Sequence, residues 1–233
     1  MFVPSDTDNY EIFESTIRVK LLKAAATIKV YDKATGQYGN STSFVYGEPI
    51  TELTFLTTPM GLTIDNSEFM ESGGLFGTMP SAGSYVFTAR INDTNYTGEL
   101  KFSVIINKRQ AQIEFYDENN RVTEWYSYTY AATYLPKARI IASSLLPQDL
   151  QRKEEIESGL SYRYMSRGSS NVVWRQLPVN VGEYLVYAVL ENENYYIDSE
   201  IKQSRAYYDI TRAEVQYLDF DSSTLANLVS GNV

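Results

Sequence analysis

The chain of 233 residues has no cysteine and no histidine. Those two absences remove disulfide staples, cysteine nucleophiles, Ser-His-Asp triads, imidazole proton shuttles and Cys/His zinc sites. Carboxylates, lysine, tyrosine, serine and backbone amides remain for any chemistry. Positive charge is also scarce: 20 Lys and Arg stand against 29 Asp and Glu, a formal charge of −9. A surface of that sign repels phosphate backbones, so nucleic acid is not an expected partner. No run approaches the roughly 18 apolar residues of a membrane-crossing helix. The opening MFVPSD has neither the basic flank nor the apolar core of a signal peptide. What is abundant is tyrosine, with 20 copies against 10 Phe and 2 Trp. Aromatic residues at that density favour strands over helices.

Internal similarity decides the organisation. The segments 27–32 (TIKVYD), 112–117 (QIEFYD) and 214–219 (EVQYLD) match one another. Residues 81–96 (SAGSYVFTARINDTNY) match 180–195 (NVGEYLVYAVLENENY), and 5–10 (SDTDNY) repeats the final corner of both. Gly61-Leu-Thr-Ile and Gly159-Leu-Ser-Tyr supply one more pair. The matches keep their order, which fixes four pieces. Residues 1–23 are the terminal strand of a preceding repeat, 24–108 a first domain, 109–212 a second, and 213–233 the start of a following repeat. Read so, the sequence is a piece of a longer protein.

Each repeat alternates with the period of a strand. Tyr85 to Ile91, a polar Asn-Asp-Thr-Asn turn and Glu99 to Ile106 make a hairpin, repeated from Tyr184 to near Ile210. The expected fold is all-β, with two tandem antiparallel sandwiches. One short helix is expected near 148–157, where Pro147 precedes strong helix formers and Gly159 stops them.

The residues AGSY (82–85), NDTNY (92–96), PSDTDNY (4–10) and VYGEP (45–49) resemble the tandem bacterial Ig-like repeats called MBG domains. In that family the hairpin leads through a short Lys-Ala joint to the next repeat. Lys23-Ala24, Lys108 to Ala111 and Arg212-Ala213 stand at such joints. The second domain departs from the pattern, with Tyr130-Ala131 in place of Tyr46-Gly47 and Val181 in place of the Ala before Gly. The resemblance implies an Ig-like, bacterial, extracellular or cell-surface protein, in which such domains form a stalk or adhesin-like array.

Tyr85 and Tyr184 each follow a glycine by two at a strand start, the position of a structural tyrosine corner. Their expected Tyr→Phe cost is about 1–3 kcal/mol. Tyr126, Tyr128 and Tyr130 are spaced by two and so share one strand face, where they either pack inward or form a sugar-stacking platform. The pairs Asp6/Asp8, Asn92/Asp93 and Glu191/Glu193 read as turn chemistry rather than calcium ligands. Lys29 has Glu114 and Gln216 at its matching positions, which argues against a repeated Lys–Asn isopeptide bond. No carboxylate pair stands out among 29 acids. The expectation is therefore no catalytic residue, no metal and no cofactor.

The sequence reads as a non-catalytic structural or adhesive spacer and a monomer, its partners being neighbouring repeats, stacked end to end, with a surface glycan or host protein as a further candidate partner. Two readings stay open beside it: a carbohydrate- or host-protein-binding module with its site in 120–160, and accessory domains of a secreted glycosidase or peptidase.

Overall fold

The computed structural model describes residues 3, 5, 6, 8–10, 14–70, 75–131, 134–168, 173–200 and 202–214. The chain divides into two compact units, Met1–Asn107 and Lys108–Val233. Residues 14–23 are exposed and belong to no strand, although 1–23 reads in sequence as a closing strand. A strand exists only where a neighbour takes its amides and carbonyls. The repeat start at 214–219 lies, beyond Glu214, outside the described residues.

Unit 1 contains β1 (Ala24–Ala25), β2 (Thr27–Asp32), β3 (Gln37–Gly39), β4 (Ser41–Val45), β5 (Phe55–Thr58), β6 (Ile64–Asp65), α1 (Ser67–Met70), β7 (Gly83–Ile91), β8 (Tyr96–Thr97) and β9 (Glu99–Asn107). A three-stranded sheet β3-β2-β5 faces a four-stranded sheet β4-β9-β7-β6. The expected hairpin is β7 against β9, antiparallel from Gly83↔Ile106 to Arg90↔Glu99. Alternation along both strands sends Phe87, Ala89, Phe102, Val104 and Ile106 into the core. Phe55 of the facing sheet meets Phe102 edge-on at 5.5 Å. The helix α1 had no signal in the sequence reading. It forms because Asp65 Oδ1 accepts the amide of Ser67 (3.0 Å) and the fully buried Phe69 anchors its inner face.

Unit 2 follows the same plan with β10 (Arg109–Gln110), β11 (Ile113–Tyr116), β12 (Trp125–Thr129), β13 (Lys137–Ile140), α2 (Lys153–Glu157), β14 (Leu160–Ser166), β15 (Gly182–Leu190), β16 (Tyr195–Tyr196) and β17 (Arg205–Thr211). Its large sheet runs β12-β17-β15-β14, with β11 pairing β13 separately. The all-β sandwich expectation holds, with one refinement. The edge strands β4 and β12 run parallel to β9 and β17, so each large sheet is mixed.

The helical insertion holds too, as a 3-10 turn Pro147–Arg152 continuing into α2. Ser144 does not cap it. Its hydroxyl accepts the amide of Gln112 (3.0 Å) and donates to Ile141 O (2.7 Å). The buried Tyr195 ties the insertion down: its hydroxyl donates to Asp149 Oδ2 at 2.7 Å and accepts the amide of Leu146 at 2.9 Å.

Strand register places Ile64 opposite Ile91 and Leu160 opposite Leu190. Gly159 therefore corresponds to Thr63, and the sequence pairing of Gly61 with Gly159 is two residues out of step. The two glycines serve different ends. Gly61 has φ +82° in open space, whereas a Cβ on Gly159 would lie 2.3 Å from Glu191 O. We expect Gly159→Ala to lower the stability of unit 2 by about 1–3 kcal/mol, since the crowded atom is backbone. Urea unfolding monitored on unit 2 checks this.

Candidate functional site

The repeated motif residues form a structural apparatus inside each unit. Tyr85 donates its hydroxyl to Ser81 O and Tyr184 to Asn180 O, both at 2.9 Å and both four residues back. The ring folds over the glycine two residues earlier on the same strand face. A Cβ at Gly182 would meet the Tyr184 hydroxyl at 2.9 Å, and one at Gly83 the Tyr85 ring at 3.7 Å. Tyr184 is buried and Tyr85 half-buried, while Asn180 is exposed and Ser81 half-buried. Water can therefore reach the carbonyls once the hydroxyl is gone, which puts Tyr85→Phe and Tyr184→Phe near the lower end of the range, about 1 kcal/mol each. Denaturant melts that resolve both units test this, each variant moving its own unit alone.

The Lys-Ala joints are not linkers. Lys23 Nζ donates to Asp93 O (2.7 Å) and Lys108 Nζ to Asn192 O (2.6 Å). Behind each lysine, β1 pairs parallel with β8 and β10 with β16. Each joint thus opens the unit that follows it and clasps that unit's own hairpin turn. The turns are closed by side chains: Asp93 Oδ1 accepts the amides of Asn95 (2.7 Å) and Tyr96 (3.1 Å), and Asn192 Oδ1 those of Asn194 (2.9 Å) and Tyr195 (3.1 Å). Asp117, the repeated acid after the first strand, likewise takes the amides of Asn119 (2.9 Å) and Arg121 (2.8 Å). Among the described residues no three acidic side chains converge as a metal site.

The Tyr130-Ala131 departure keeps the backbone of its counterpart. Tyr46 N donates to Asn107 O and Tyr130 N to Thr211 O, and Gly47 (φ +92°) is matched by Ala131 at φ +69°. An alanine in the left-handed region is strained. Ala131→Gly should stabilise unit 2 by about 1 kcal/mol, read as a rise in its unfolding midpoint.

The three tyrosines of the platform reading separate. Tyr126 is 5% exposed, and its hydroxyl donates to Tyr116 O (2.7 Å), with Lys137 O as a second acceptor within reach at 3.0 Å. Tyr128 is half-buried, stacked on Tyr126 at 6.1 Å, and Tyr130 lies past the end of β12 and is half exposed. Of the two readings open in the sequence, the inward one describes Tyr126, with Tyr128 on the same face of β12 packed against it and Tyr130 outside the strand. Tyr128 and the edge of Tyr126 line one open depression with Tyr116, Asp117, Glu118, Tyr134 and Lys137. Burial, then the negative charges of Glu118 and Asp117, raise the Tyr128 hydroxyl pKa.

The outward face of β12 carries Trp125, whose ring lies 4.8 Å from that of Tyr207. The Arg167 guanidinium sits over both, 5.4 Å and 4.8 Å from their centres. Arg167 also faces Glu183 (3.4 Å) and Asp209 (3.6 Å). Burial lifts the Asp209 carboxyl above the usual range, partly offset by Arg167. Sequence reasoning missed this cluster, because its members come from three strands and the turn after β14 and neighbour one another only through register.

Residues 40–110 match the family model described as MBG domain. The match runs from the start of β4 through the β7–β9 hairpin to β10. No curated protein matches the chain. Among solved structures, a chain from "Structural basis for Dscam isoform specificity" is 10% identical over 75% of this chain and 44% of its own length, with a TM-score of 0.27. This chain thus spans less than half of that one. Residues 40–110, nearly all within unit 1, are thus similar to an MBG domain.

Proposed function

We propose that the chain is a non-catalytic spacer of tandem Ig-like modules in a bacterial surface or secreted protein, its partners being neighbouring repeats. One observation carries this reading. Both units build the same clasp, a joint lysine bonded to the turn of its own hairpin, at Lys23 with Asp93 and at Lys108 with Asn192. A device spent on anchoring the entry point of each module suits a chain loaded through its ends, and it leaves no chemistry at the joint.

Single-molecule extension tests it. Two separate unfolding events are expected, each releasing about 30–40 nm at roughly 3.6 Å per residue. Lys23→Met should weaken the unit 1 event alone, and Lys108→Met the unit 2 event alone. One event of combined length, or units that yield without measurable force, refutes the spacer reading. Reproducible hydrolase turnover abolished by a single Asp or Glu substitution refutes its non-catalytic part.

A further inference from the structure

The outer face of the β14-β15-β17 sheet can be read rung by rung. Arg163 pairs with Tyr187, and Tyr187 with Arg205, so two arginines flank one tyrosine in a row across three strands. At the usual strand spacing their Cα atoms stand roughly 10 Å apart. The next rung is apolar, Met165 opposite Leu185 opposite Tyr207. Beyond it Arg167 is matched by Glu183 and Asp209, and at the strand end Lys202 is matched by Glu124 at 2.9 Å. Among the described residues the Arg163–Tyr187–Arg205 row has no such matching. Arg163 Nη1 donates to the carbonyl of Tyr162 (3.0 Å) and, more loosely, to Ser161 Oγ (3.4 Å), and among the described residues no carboxylate lies within ion-pair distance of Arg163 or Arg205.

This row floors a depression of about 300 Å³, completed by Met165, Val173, Val189, Ser199 and Glu200. We propose that it binds an acidic sugar unit of a glycan, the carboxylate held by Arg163 and Arg205 and the sugar ring lying on Tyr187. Four features select that chemistry. Arginine matches a planar carboxylate through paired donors. A tyrosine face offers flat apolar area to the C–H face of a sugar ring. Glu200 and Ser199 supply acceptors for sugar hydroxyls. Two arginines against the one Glu200 leave a single positive charge, which one carboxylate neutralises, in a protein of net charge −9. A peptide strand is disfavoured as occupant, because the adjacent edge of β14 is already taken at Tyr164, whose amide and carbonyl both bond Trp174 (2.9 and 3.0 Å).

The inference goes beyond the spacer reading and stands or falls apart from it. Its test is titration of the full chain with trigalacturonic acid and with its fully methyl-esterified form, followed by calorimetry. Binding of the acid form and at least tenfold weaker binding of the ester are expected. Arg163→Gln, Arg205→Gln and Tyr187→Ala should each weaken the acid form at least tenfold with unit 2 still folded by circular dichroism. Lys29→Gln, an exposed charge of unit 1, should leave it unchanged. No binding of the acid form, equal binding of both forms, equal loss in the Lys29 variant, or equally tight binding of a glutamate tripeptide overturns the proposal.

Discussion

Replacing Tyr208 by alanine is expected to bring unit 2 close to unfolding while leaving unit 1 intact. Tyr208 is fully buried in β17, with its ring 5.4 Å from Tyr128, 6.0 Å from Tyr164 and 6.2 Å from Tyr126. Its hydroxyl donates to Tyr134 O at 2.8 Å. Register makes it the counterpart of Val104, since Tyr208 stands opposite Tyr184 as Val104 stands opposite Tyr85. The neighbouring rung compensates: the Phe87–Phe102 pair of unit 1 becomes Val186–Ala206. Unit 2 has therefore moved its aromatic volume one rung along the strand, onto a residue that three other rings enclose. Truncation to Ala removes that ring and leaves a cavity, a cost of about 3–5 kcal/mol, against a total stability for such a domain of about 5–15 kcal/mol. The unit 2 transition should fall by roughly 12–40 °C, at ~4–8 °C per kcal/mol for a small domain. Tyr208→Phe keeps the ring and loses one donor, so about 1–3 kcal/mol is expected. Calorimetric scans of both variants decide it, and a Tyr208→Ala shift no larger than that of Tyr208→Phe removes the enclosed ring as the source of stability.

Alkaline pH should unfold unit 2 before unit 1. Burial pushes the Tyr126 hydroxyl up to about 12, and burial raises Tyr162, Tyr164 and Tyr208 in the same direction. An unfolded tyrosine ionises near 10. The folded state therefore holds protons that the unfolded state releases, and the associated stability is fully present below pH 10. It is lost as pH rises from 10 through about 12, the window set by Tyr126. One pKa unit corresponds to about 1.4 kcal/mol, so Tyr126 alone contributes about 3 kcal/mol of loss. The raised Tyr162, Tyr164 and Tyr208 hydroxyls add to it in the same direction. Unit 1 is less exposed to this effect: among the described residues its fully buried rings are Phe69 and Phe102, which carry no ionisable hydroxyl. Cooperative loss of β circular dichroism with a simultaneous rise of tyrosinate absorbance is expected, retained by Tyr126→Phe only above a higher pH. A smooth titration centred near pH 10, with no loss of secondary structure, contradicts it.

Period-two alternation and the turn residues were enough to give the strands, the hairpins, the inserted helix and the all-β class, because strand side chains alternate faces and Asn, Asp and Gly close turns by local bonds. The Gly-x-Tyr spacing was equally local, since a ring can lie back over a glycine two residues before it. Tertiary structure alone decided the rest. Alternation shows that Tyr126 and Tyr128 share a face but not which face is the core, and the sandwich turned that face inward. The joint lysines gained their partners 70 and 84 residues away, across a parallel pairing that no local pattern encodes. The same holds for Arg163, Tyr187 and Arg205: their adjacency is a matter of register between strands, and register is fixed by how two sheets bury their apolar faces against each other.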